Sequence, residues 1–571
     1  MPGLPRNGEL ADAFELLADL SELLGEQGFR VLAYRRAATR IRDTASSVAE
    51  LALAGEAKEL QGIGRTIEEK IVELATTGRM AALEKRRAEV PPEVVHFLRL
   101  PGVGPKTAAR IWRELGITTL DGLRSAAEEQ RLRGLQGLGA RSEEKILEAL
   151  DRGAGAEPEQ RGLLGAGLPV VRAVVEALRA HPATVDVSEA GSVRRRRETF
   201  RDLDVIATST DPAATTAHFV ALPGVVEVIA HGDSKATVLT AQGHRLDLRV
   251  VPPECYGDLL QHFTGSKEHN VALREEAQRR GLSVSEYGVT VVETGEVHAF
   301  RSEEELYAFL GYAFIPPELR ENAGELEAAR DGRLPELVEL GDLRGELHCH
   351  STWSADGKDS IEAMARAAQA RGYDYVCITD HSHYLRDARL EEQWEEIAAV
   401  DAALRPFRVL RGIEANIKAD GTVDVPDELL AQLDWVVASL HHSIDRNPTE
   451  RVLAAIEHPH VDCIGHLTGR RLSRPARAAG AAIDVARVVA RAAETGTALE
   501  INGQPDRLDL RDVHARLAGE AGVLVPVTTD AHQVSTLAYA ELGIAQARRA
   551  WLTKEQVLNT LTWRQIERRR R

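Results

Sequence analysis

Two aspartates, Asp202 and Asp204, stand two positions apart in a short segment that follows a run of four arginines, Arg194 to Arg197. Alternate residues of a β-strand point to the same face, so a strand here would project both carboxylates together. Carboxylates hold hard divalent cations through oxygen and guanidinium groups bind phosphates, so the combination suits a Mg²⁺–polyphosphate complex. Because a D-x-D pair alone is a weak signal, a solvated strand is the alternative interpretation.

A third acid stands in an alternating segment downstream. Between His244 and Arg249, Leu246 and Leu248 would face a core while Asp247 faces the opposite side of the strand. Three acids on adjacent strands would form a two-metal site for in-line nucleotidyl transfer. The surrounding region, from about residue 161 to 250, mixes helical and strand patterns and predicts an α/β domain.

A second group of chemically capable residues lies in the C-terminal part, where seven apolar segments each end in polar side chains. The segment ends carry nine candidate metal ligands: His348, His350, Asp356, His381, Glu414, His441, His466, Asp530 and His532. Mixed imidazole and carboxylate donors suit Zn²⁺, Mn²⁺ or Fe²⁺ and do not suit Ca²⁺. Nine ligands exceed the needs of one tetrahedral ion, so we expect two or three bridged ions, a type of cluster that activates water and clamps a phosphoryl group.

Helical stretches separate these seven segments, which predicts seven βα units arranged as a distorted (βα)7 barrel. Function is then expected at the carboxyl ends of the strands, where the candidate ligands lie. Any one of the histidines could instead be an ordinary core or surface residue, and Asp356 before a glycine is also usual turn chemistry. The joint placement of all nine at segment ends is the stronger signal.

The N-terminal part is predicted to be all-helical and contains an internal repeat. Three times a leucine is followed, three positions later, by a hydrophobic residue that stands between two glycines, and then by an amphipathic helix. The glycines are Gly62 and Gly64, Gly102 and Gly104, and Gly137 and Gly139. They let backbone N–H groups approach an anion at a helix N-terminus, which binds nucleic-acid phosphates without reading bases. The alternative is that each glycine only caps one helix before a new helix begins. The presence of three copies argues against this alternative.

Composition limits the class of protein. A chain of 571 residues predicts about four domains. The four cysteines are far apart and form no C-x-x-C, which favours a reducing compartment and argues against a disulfide framework. No segment has the apolar length of a membrane span and the N-terminus has no secretory pattern, so a cytoplasmic protein is expected. With a net charge of −17, contact with nucleic acid must use local basic patches.

The motifs GSVRR, DLD, RLDLR and FTGSKEHNVALR occur in this order and resemble DNA polymerase family X, the DNA polymerase beta group. Two spacings support the resemblance, ten positions from Ser192 to Asp202 and sixteen from Asp247 to Phe263. The resemblance covers residues 1 to about 318. It implies four parts, which are a lyase-like helical domain at 1–85, fingers with helix-hairpin-helix repeats at 86–155, an α/β nucleotidyltransferase palm at 156–255 and a thumb at 256–318.

The resemblance also implies roles for individual residues. Asp202 and Asp204 would ligate Mg²⁺ or Mn²⁺, and Asp247 would complete the site and accept the proton of the primer 3′-hydroxyl. The incoming nucleotide would contact Gly191, Ser192, Arg195, Phe263, Gly265 and Asn270, and Arg274 would reach the template strand. The usual Tyr-Phe pair of the family is His262-Phe263 here, which leaves sugar selectivity open. Lys70 matches the Schiff-base lysine of the family, although a solvated helical lysine is the alternative.

After a charged linker at 319–340, the motifs HCHSTWSADG, ITDHS, GIEANI, ASLHH, GHLTGR and TTDAH resemble the polymerase and histidinol phosphatase (PHP) domain. This resemblance covers about 341–571 and all nine candidate ligands. It implies phosphoester hydrolysis. Joined to a family X polymerase, it implies a Mn²⁺-dependent 3′-5′ exonuclease that also processes blocked 3′ ends or abasic sites.

The sequence therefore predicts a multidomain, monomeric DNA-directed DNA polymerase. It would fill short gaps during base excision repair, acting on gapped or primed DNA and dNTPs, and its barrel would clean the 3′ end. One alternative is a DNA-binding scaffold carrying a small-molecule phosphatase or a metal-dependent structural module. Another is a non-templated nucleotidyltransferase, because the GS…D-x-D signature belongs to a wider superfamily.

Overall fold

The computed structural model describes residues 4–5, 7–26, 28–43, 48–60, 62–100, 103–135, 138–151, 161–386, 388–444, 446–474, 477–478 and 480–570. The chain divides into two compact units. The first consists of Met1–Gly162, Ala166–Glu189 and Phe200–Tyr256, and the second of Leu163–Gly165, Ala190–Thr199 and Gly257–Arg571. Among the described residues no helix is long and apolar enough to cross a membrane.

The first part of the chain is all-helical, as predicted. Its helices are α1 (Asn7–Leu23), α2 (Gly28–Asp43), α3 (Val48–Leu53), α4 (Arg65–Thr77), α5 (Ala81–Arg87), α6 (Pro105–Leu115), α7 (Leu120–Glu128) and α8 (Ala140–Asp151). Helices α1 and α2 pack against each other, with the rings of Phe14 and Tyr34 6.2 Å apart. Gly78 and Gly116 end α4 and α6 in the left-handed conformation, at φ of 69° and 68°. Glycine adopts this conformation without steric cost, so both helices stop where the sequence places a glycine.

A five-stranded sheet follows, in the strand order β2-β4-β7-β6-β5. The strands of this region are β1 (Gly162–Leu163), β2 (Thr184–Ala190), β3 (Thr199–Phe200), β4 (Asp202–Ser209), β5 (Val225–His231), β6 (Lys235–Thr240) and β7 (Arg245–Val251), and the helices are α9 (Leu164–Arg179), α10 (Gly191–Arg194) and α11 (Pro212–Val220). Strand β4 pairs in parallel with β7, whereas β5, β6 and β7 are antiparallel neighbours. Leu203, Leu246 and Leu248 are fully buried, so the alternation read from the sequence places the core face correctly.

The next part combines helices with a small antiparallel sheet in the order β10-β9-β8. Its elements are α12 (Tyr256–Thr264), α13 (Lys267–Arg279), β8 (Leu282–Ser285), β9 (Gly288–Val291), β10 (Val297–His298), α14 (Glu303–Phe309) and α15 (Glu325–Arg330). The core holds Leu273, Tyr307 and Leu326 together with a fully buried arginine, Arg320. That guanidinium pairs with Glu303 and donates to the Ile315 carbonyl at 2.9 Å, so its charge is compensated.

The C-terminal part is a ring of parallel strands with helices outside. The strands are β11 (Gly345–Cys349), β12 (Tyr375–Ile378), β13 (Arg408–Asn416), β14 (Trp435–Ser439), β15 (Cys463–Gly465), β16 (Ala498–Leu499), β17 (Ile501–Asn502) and β18 (Val527–Thr528). The helices are α16 (Ile361–Ala370), α17 (Arg389–Leu404), α18 (Asp427–Leu430), α19 (Pro448–Ile456), α20 (Val485–Thr495), α21 (Asp512–Glu520), α22 (Ala540–Arg549) and α23 (Trp563–Glu567).

Strands β11 to β16 pair in sequence order, and β17 pairs with β18. Only Glu500 separates β16 from β17, so the two form one interrupted strand. A parallel bridge between Cys349 and Ala531, with the His350 N–H donating to the Ala531 carbonyl at 2.8 Å, brings β18 beside β11 and closes the ring. The seven βα units predicted from the sequence are confirmed, in a distorted barrel.

Candidate active sites

The nine candidate ligands of the barrel converge at the carboxyl ends of its strands. Their donor atoms include three overlapping groups whose members lie within 4.8 Å of one another. The groups are His348, His350 and Asp530; His350, His381 and His532; and His381, Glu414 and His441. Overlap means that single residues belong to two groups, which is the pattern of bridged ions rather than of isolated sites.

Glu414 lies at the centre of the cluster. Its Oε1 is 3.0 Å from Nε2 of His466 and 3.2 Å from Nε2 of His441, and its Oε2 is 2.7 Å from Nδ1 of His381. Burial alone would raise the pKa of Glu414, but the nearby histidines hold that pKa well below its usual range. Asp530 is a second carboxylate among the histidines, and its Oδ1 lies 3.2 Å from Nε2 of His350. Both carboxylates are thus ionised and placed to bridge cations.

Two of the ligands sit on strained backbone. His466 has a φ of 27° and Asp530 a φ of 48°, a left-handed region that side chains other than glycine seldom occupy. Such conformations persist where the surrounding structure over-determines them, and they concentrate at functional sites. Both side chains lie in the cluster, His466 3.0 Å from Glu414 and Asp530 3.2 Å from His350.

Asp356 closes the open side of the cluster. Its side chain is 51% exposed, and Oδ2 lies 3.4 Å from His381 Nε2 and 3.3 Å from His532 Nε2. The following residue must be glycine, because a Cβ on Gly357 would lie 1.8 Å from the Ser351 carbonyl oxygen. The Asp-Gly pair that resembles ordinary turn chemistry in the sequence therefore carries a side chain that reaches the other ligands.

Several buried donor atoms of the cluster have no hydrogen-bond partner in the described part of the chain. They include Nε2 of His348, Nδ1 of His350 and Nδ1 of His466. Unpaired polar atoms are costly inside a protein. Burial, with His532 and His381 nearby, lowers the pKa of His350 to about 3, so its imidazole is neutral and keeps a lone pair to offer. The donor set of the cluster is one that metal ions bind.

Sequence reasoning missed the residues that orient these ligands. Glu500 Oε1 lies 2.5 Å from His348 Nδ1 and accepts the Thr528 hydroxyl at 2.6 Å. Asn416 Oδ1 lies 2.7 Å from His441 Nδ1, and its amide donates to Asp424 at 2.8 Å. Partners of this kind fix the ring orientation of a metal ligand. The signal was present in the sequence as a polar residue inside an apolar segment, Glu500 in ALEIN and Asn416 two positions after Glu414.

Arginines stand beside the cluster. Arg507 is buried, its Nε lies 3.7 Å from Asp530 Oδ2, and that Nε has no hydrogen-bond partner in the described residues. Burial, with Arg507 nearby, lowers the pKa of Arg471 to about 10. Two guanidinium groups held next to a cation site suit an anionic group such as a phosphate.

The three acids of the first unit stand side by side on one sheet. Strands β4 and β7 pair so that Asp204 is opposite Asp247 and Asp202 is opposite Arg245. Residues paired in register share a face of a sheet, so all three carboxylates project together. Asp247 accepts from Arg245 Nε at 3.0 Å and from the Thr237 hydroxyl, and Asp202 lies 3.6 Å from Arg201 Nε. These contacts offset part of the negative charge of the three acids. Bound divalent ions would balance the same charge.

The basic loop after β2 lies in the second unit. Gly191 opens it at a φ of 62°, Ser192 is half-buried, and Arg195 donates through Nε to Glu321 at 3.0 Å and through Nη1 to the Thr264 carbonyl at 2.8 Å. The neighbouring Arg194 is a bidentate partner of Glu303, at 2.9 and 2.7 Å. The arginine run is thus ordered by acids, and adjacent arginines have separate partners.

The α12–α13 hairpin brings the remaining nucleotide-site candidates together. Asn270 donates to the His262 carbonyl at 2.8 Å, and Arg274 Nη2 lies 2.8 Å from His262 Nδ1. A Cβ on Gly265 would lie 2.4 Å from Asn270 Oδ1, so a larger residue there would displace the Asn270 side chain. The ring centroids of Phe263 and His262 lie 5.1 Å apart. His262, where the family has tyrosine, thus organises Asn270 and Arg274.

The helix-hairpin-helix candidates lie at helix starts. Gly64 is the N-cap of α4, Gly104 is the N-cap of α6 and Gly139 precedes α8, while Gly62 has a φ of 89°. The hydrophobic residue of each repeat, Ile63, Val103 or Leu138, is buried. Gly102 and Gly137 lie outside the described residues. Lys70 is a half-buried residue of α4, and its role in a lyase reaction stays a prediction.

Four family models match the chain. A helix-hairpin-helix domain matches residues 5–80, and a SAM-like helix-hairpin-helix tandem matches residues 94–152. A DNA polymerase beta thumb matches residues 259–321, and a PHP domain matches residues 346–504. The matches therefore cover the three repeats, the predicted thumb and the predicted barrel as far as residue 504.

One relative aligns over nearly all of this chain, and others align over little more than a third of it. The DNA polymerase/3′-5′ exonuclease PolX of Bacillus subtilis (strain 168) is 41% identical over 564 residues, which is 97% of each chain. Proteins named as probable phosphatases are 29% identical over shorter stretches. The one from Thermoanaerobacter sp. (strain X514) aligns over 38% of this chain and 89% of its own, and the one from Caldicellulosiruptor bescii over 35% and 84%. The chain thus belongs to the bacterial branch of DNA polymerase family X, in which polymerase beta-like elements are joined to a PHP domain.

Proposed function

We propose that this protein is a DNA-directed DNA polymerase that also carries a 3′-5′ exonuclease in its PHP barrel. The observation that carries the proposal is identity of 41% along 97% of the chain to a relative named for both activities, combined with two separate clusters of candidate metal ligands. One cluster is the acid trio of β4 and β7, and the other is the imidazole and carboxylate ring of the barrel.

For the polymerase, we propose that Asp202 and Asp204 hold Mg²⁺ or Mn²⁺ and that Asp247 accepts the proton of the primer 3′-hydroxyl. The register that sets Asp204 opposite Asp247 supports this assignment. Divalent ions held there would stabilise the attacking and leaving oxygens of an in-line displacement. Nucleotide contacts are assigned to Gly191, Ser192, Arg195, Phe263, Gly265 and Asn270, and a template contact to Arg274.

For the exonuclease, we propose that the nine barrel residues hold two or three ions of Mn²⁺, Zn²⁺ or Fe²⁺. When bound, such ions lower the pKa of water and polarise a phosphoryl group. The protein's own contribution is orientation and charge. Glu500 and Asn416 fix the rings of His348 and His441, and Arg507 presents a buried guanidinium next to Asp530.

The proposed substrates are gapped or primed DNA and dNTPs, with short gap filling in base excision repair as the proposed setting. The helix-hairpin-helix glycines would bind the DNA backbone through N–H groups at the starts of α4, α6 and α8. We keep the division into lyase-like domain, fingers, palm, thumb, linker and barrel, at residues 1–85, 86–155, 156–255, 256–318, 319–340 and 341–571, as part of this proposal.

Two double variants test the assignment on one gapped primer. Asp202→Ala with Asp204→Ala should abolish extension and leave 3′ hydrolysis unchanged, and His348→Ala with His350→Ala should do the reverse. Extension by the first double variant would show that the acid trio is not the polymerase centre. Loss of extension when the template is omitted would separate the polymerase from a non-templated nucleotidyltransferase.

The relatives named as probable phosphatases favour one second candidate for the barrel, hydrolysis of a small phosphomonoester. The two candidates differ in the size of substrate that the barrel accepts. Turnover of histidinol phosphate without hydrolysis of a single-stranded 3′ end would support the phosphatase and contradict the exonuclease.

A further inference from the structure

The basic loop that carries Arg195 is held by the PHP barrel as well as by the α12–α13 hairpin. Residues 190–199 and the barrel belong to the same compact unit. At the end of α22, Arg549 Nη1 donates to the backbone carbonyl of Arg195 at 2.9 Å. A barrel side chain thus fixes the main chain of the residue to which we assign triphosphate binding.

The same guanidinium shares an acid with the side chain of Arg195. Glu321 Oε1 accepts from Arg195 Nε at 3.0 Å and from Arg549 Nη1 at 3.0 Å. Arg549 Nη2 pairs with Asp512 at 2.5 Å, at the start of α21. The side chain of Arg549 is only 2% exposed, so its charge depends on these two carboxylates. Glu321 in turn accepts from two arginines, and Arg197 Nη1 lies 3.9 Å from it.

The other end of the loop has a separate attachment to the barrel. Glu198 pairs with Arg470, whose Nε donates to the Arg507 carbonyl at 2.6 Å. The Glu198 carbonyl accepts the Leu164 N–H at 2.9 Å, and a Cβ on the adjacent Gly165 would lie 2.7 Å from Pro505. The loop is therefore fastened to the barrel at Arg195 and again at Glu198.

These contacts decide which donors of Arg195 remain for a ligand. Nε serves Glu321 and Nη1 serves the Thr264 carbonyl. A guanidinium has five N–H donors in a rigid fork, and these bonds occupy the Nε donor and one Nη1 donor, so the Nη2 donors remain for a ligand. Arg197 Nη1 lies 3.9 Å from Glu321. Without Arg549, Glu321 would pair only with Arg195 and Arg197. The carboxylate would then compete more strongly with an incoming phosphate for the Arg195 guanidinium.

We propose that Arg549 of the barrel is a positioning residue for the polymerase reaction. It holds the Arg195 backbone and balances the charge of Glu321, so that the Arg195 guanidinium is set for the triphosphate of the incoming nucleotide. The inference rests on the role proposed above for Arg195. It makes nucleotide affinity at the polymerase site depend on a side chain of the nuclease domain.

The test compares Arg549→Met with Arg548→Met in the full-length protein. Arg548 is the preceding residue of α22, and it pairs with Glu318 and the Val338 carbonyl instead of contacting the loop. Single-nucleotide extension of a gapped primer gives kcat and KM for dNTP, and hydrolysis of a single-stranded 3′ end gives the nuclease rate. Arg549→Met should lower kcat/KM by about ten- to a hundredfold, mostly through KM, and leave nuclease hydrolysis within about twofold. Arg548→Met should change neither activity.

A second variant covers a failure of Arg549→Met to fold. Arg549→Lys keeps a positive charge near Glu321 but cannot reach two carboxylates and a carbonyl at once, so its KM should lie between those of the wild type and Arg549→Met. A wild-type KM for dNTP in either Arg549 variant would overturn the inference, and so would equal losses of extension in the Arg549 and Arg548 variants. Failure of the wild type itself to extend the primer would instead count against the proposed function.

Discussion

Glu500 joins two ligands of the barrel centre, with Oε1 2.5 Å from His348 Nδ1 and Oε2 accepting the backbone N–H of His466 at 2.6 Å. The carboxylate occupies the single residue that interrupts β16 and β17, and it is fully buried. Candidate ligands from β11 and from the end of β15 are thereby positioned by one side chain. Its removal should therefore be visible in metal content before it is visible in the fold.

Replacing Glu500 by glutamine should weaken metal binding and spare the polymerase. Loss of an orienting carboxylate costs a metal site about 10- to 100-fold in affinity. We expect a substoichiometric metal content after dialysis and a nuclease rate that added Mn²⁺ restores, with unchanged primer extension. Glu494→Gln, the same substitution at an exposed residue near the end of α20, is the control. Full metal retention by Glu500→Gln would contradict the orienting role.

Gly265 should not tolerate alanine. The added Cβ would lie 2.4 Å from Asn270 Oδ1 and 3.0 Å from the His269 ring, so Asn270 would have to leave its contacts with Gln261 and the His262 carbonyl. Because Asn270 is assigned to the nucleotide, Gly265→Ala should raise KM for dNTP in gap filling, by about tenfold for a loss near 1.4 kcal/mol. Gly341→Ala, where nothing lies within 4 Å of the new Cβ, should be silent. An unchanged KM in Gly265→Ala would remove Asn270 from the nucleotide site.

Stability should respond to acid through Glu303. Burial raises the pKa of this carboxyl, but Arg320 and Arg194 outweigh burial and hold the pKa at about 2. A folded pKa below the unfolded value stabilises above the unfolded pKa, near 4.5, and that stabilisation is lost as the pH falls toward 2. Breaking a buried ion pair costs about 3–5 kcal/mol, so Glu303→Gln should be much less stable than the wild type at pH 7.

The difference in unfolding free energy between wild type and Glu303→Gln should narrow steadily below about pH 4.5. Urea unfolding at pH 7, 5 and 3 measures it. Glu304→Gln, at the next and exposed position of α14, supplies the comparison and should show a small, pH-independent effect. If the unfolding free energies of wild type and Glu303→Gln differ by as much at pH 3 as at pH 7, a group other than Glu303 causes the loss of stability in acid.

Removing metal should destabilise the barrel while leaving extension recoverable with Mg²⁺. Buried nitrogen atoms of His348, His350 and His466 have no hydrogen-bond partner in the described residues, so cation binding at this cluster should stabilise the folded state. Binding at a hundredfold excess over Kd stabilises the folded state by about 2.7 kcal/mol, so chelation should lower Tm by a few degrees and Mn²⁺ should restore it. The His348→Ala with His350→Ala variant should show a smaller response to Mn²⁺. Equal responses in both proteins would place the ion elsewhere.

Local sequence patterns predicted much of the fold and located the candidate ligands of both clusters, because they report which face of an element a residue occupies. The alternation around Asp202 and Asp247 identifies buried leucines and outward acids, and the polar ends of apolar segments locate all nine barrel ligands. Seven βα units follow from counting the same segments. In each case the signal lies within about ten residues of the side chain concerned.

Residues that act across long separations could not be found in this way. Arg549 contacts Arg195 across 354 positions, and Glu500 contacts His348 across 152, so no spacing in the sequence pairs them. The left-handed backbone at His466 and Asp530 could not be predicted from the sequence either, because neither residue is glycine. A buried acid inside an apolar strand, such as Glu500, is the one clue that a closer reading of composition would offer.

The sharing of Glu321 between Arg195 and Arg549 bears on how a shortened chain would behave. A deletion that ends the polypeptide inside the 319–340 linker, beyond Glu321, would retain this acid and discard Arg549. The acid would then rest on Arg195 and its neighbour alone, and the loop would lose its anchor at Glu198 as well. The N-terminal part expressed by itself would thus have a higher KM for dNTP than the intact protein. Its kinetics would therefore underestimate the extension rate of the intact enzyme at low dNTP concentration.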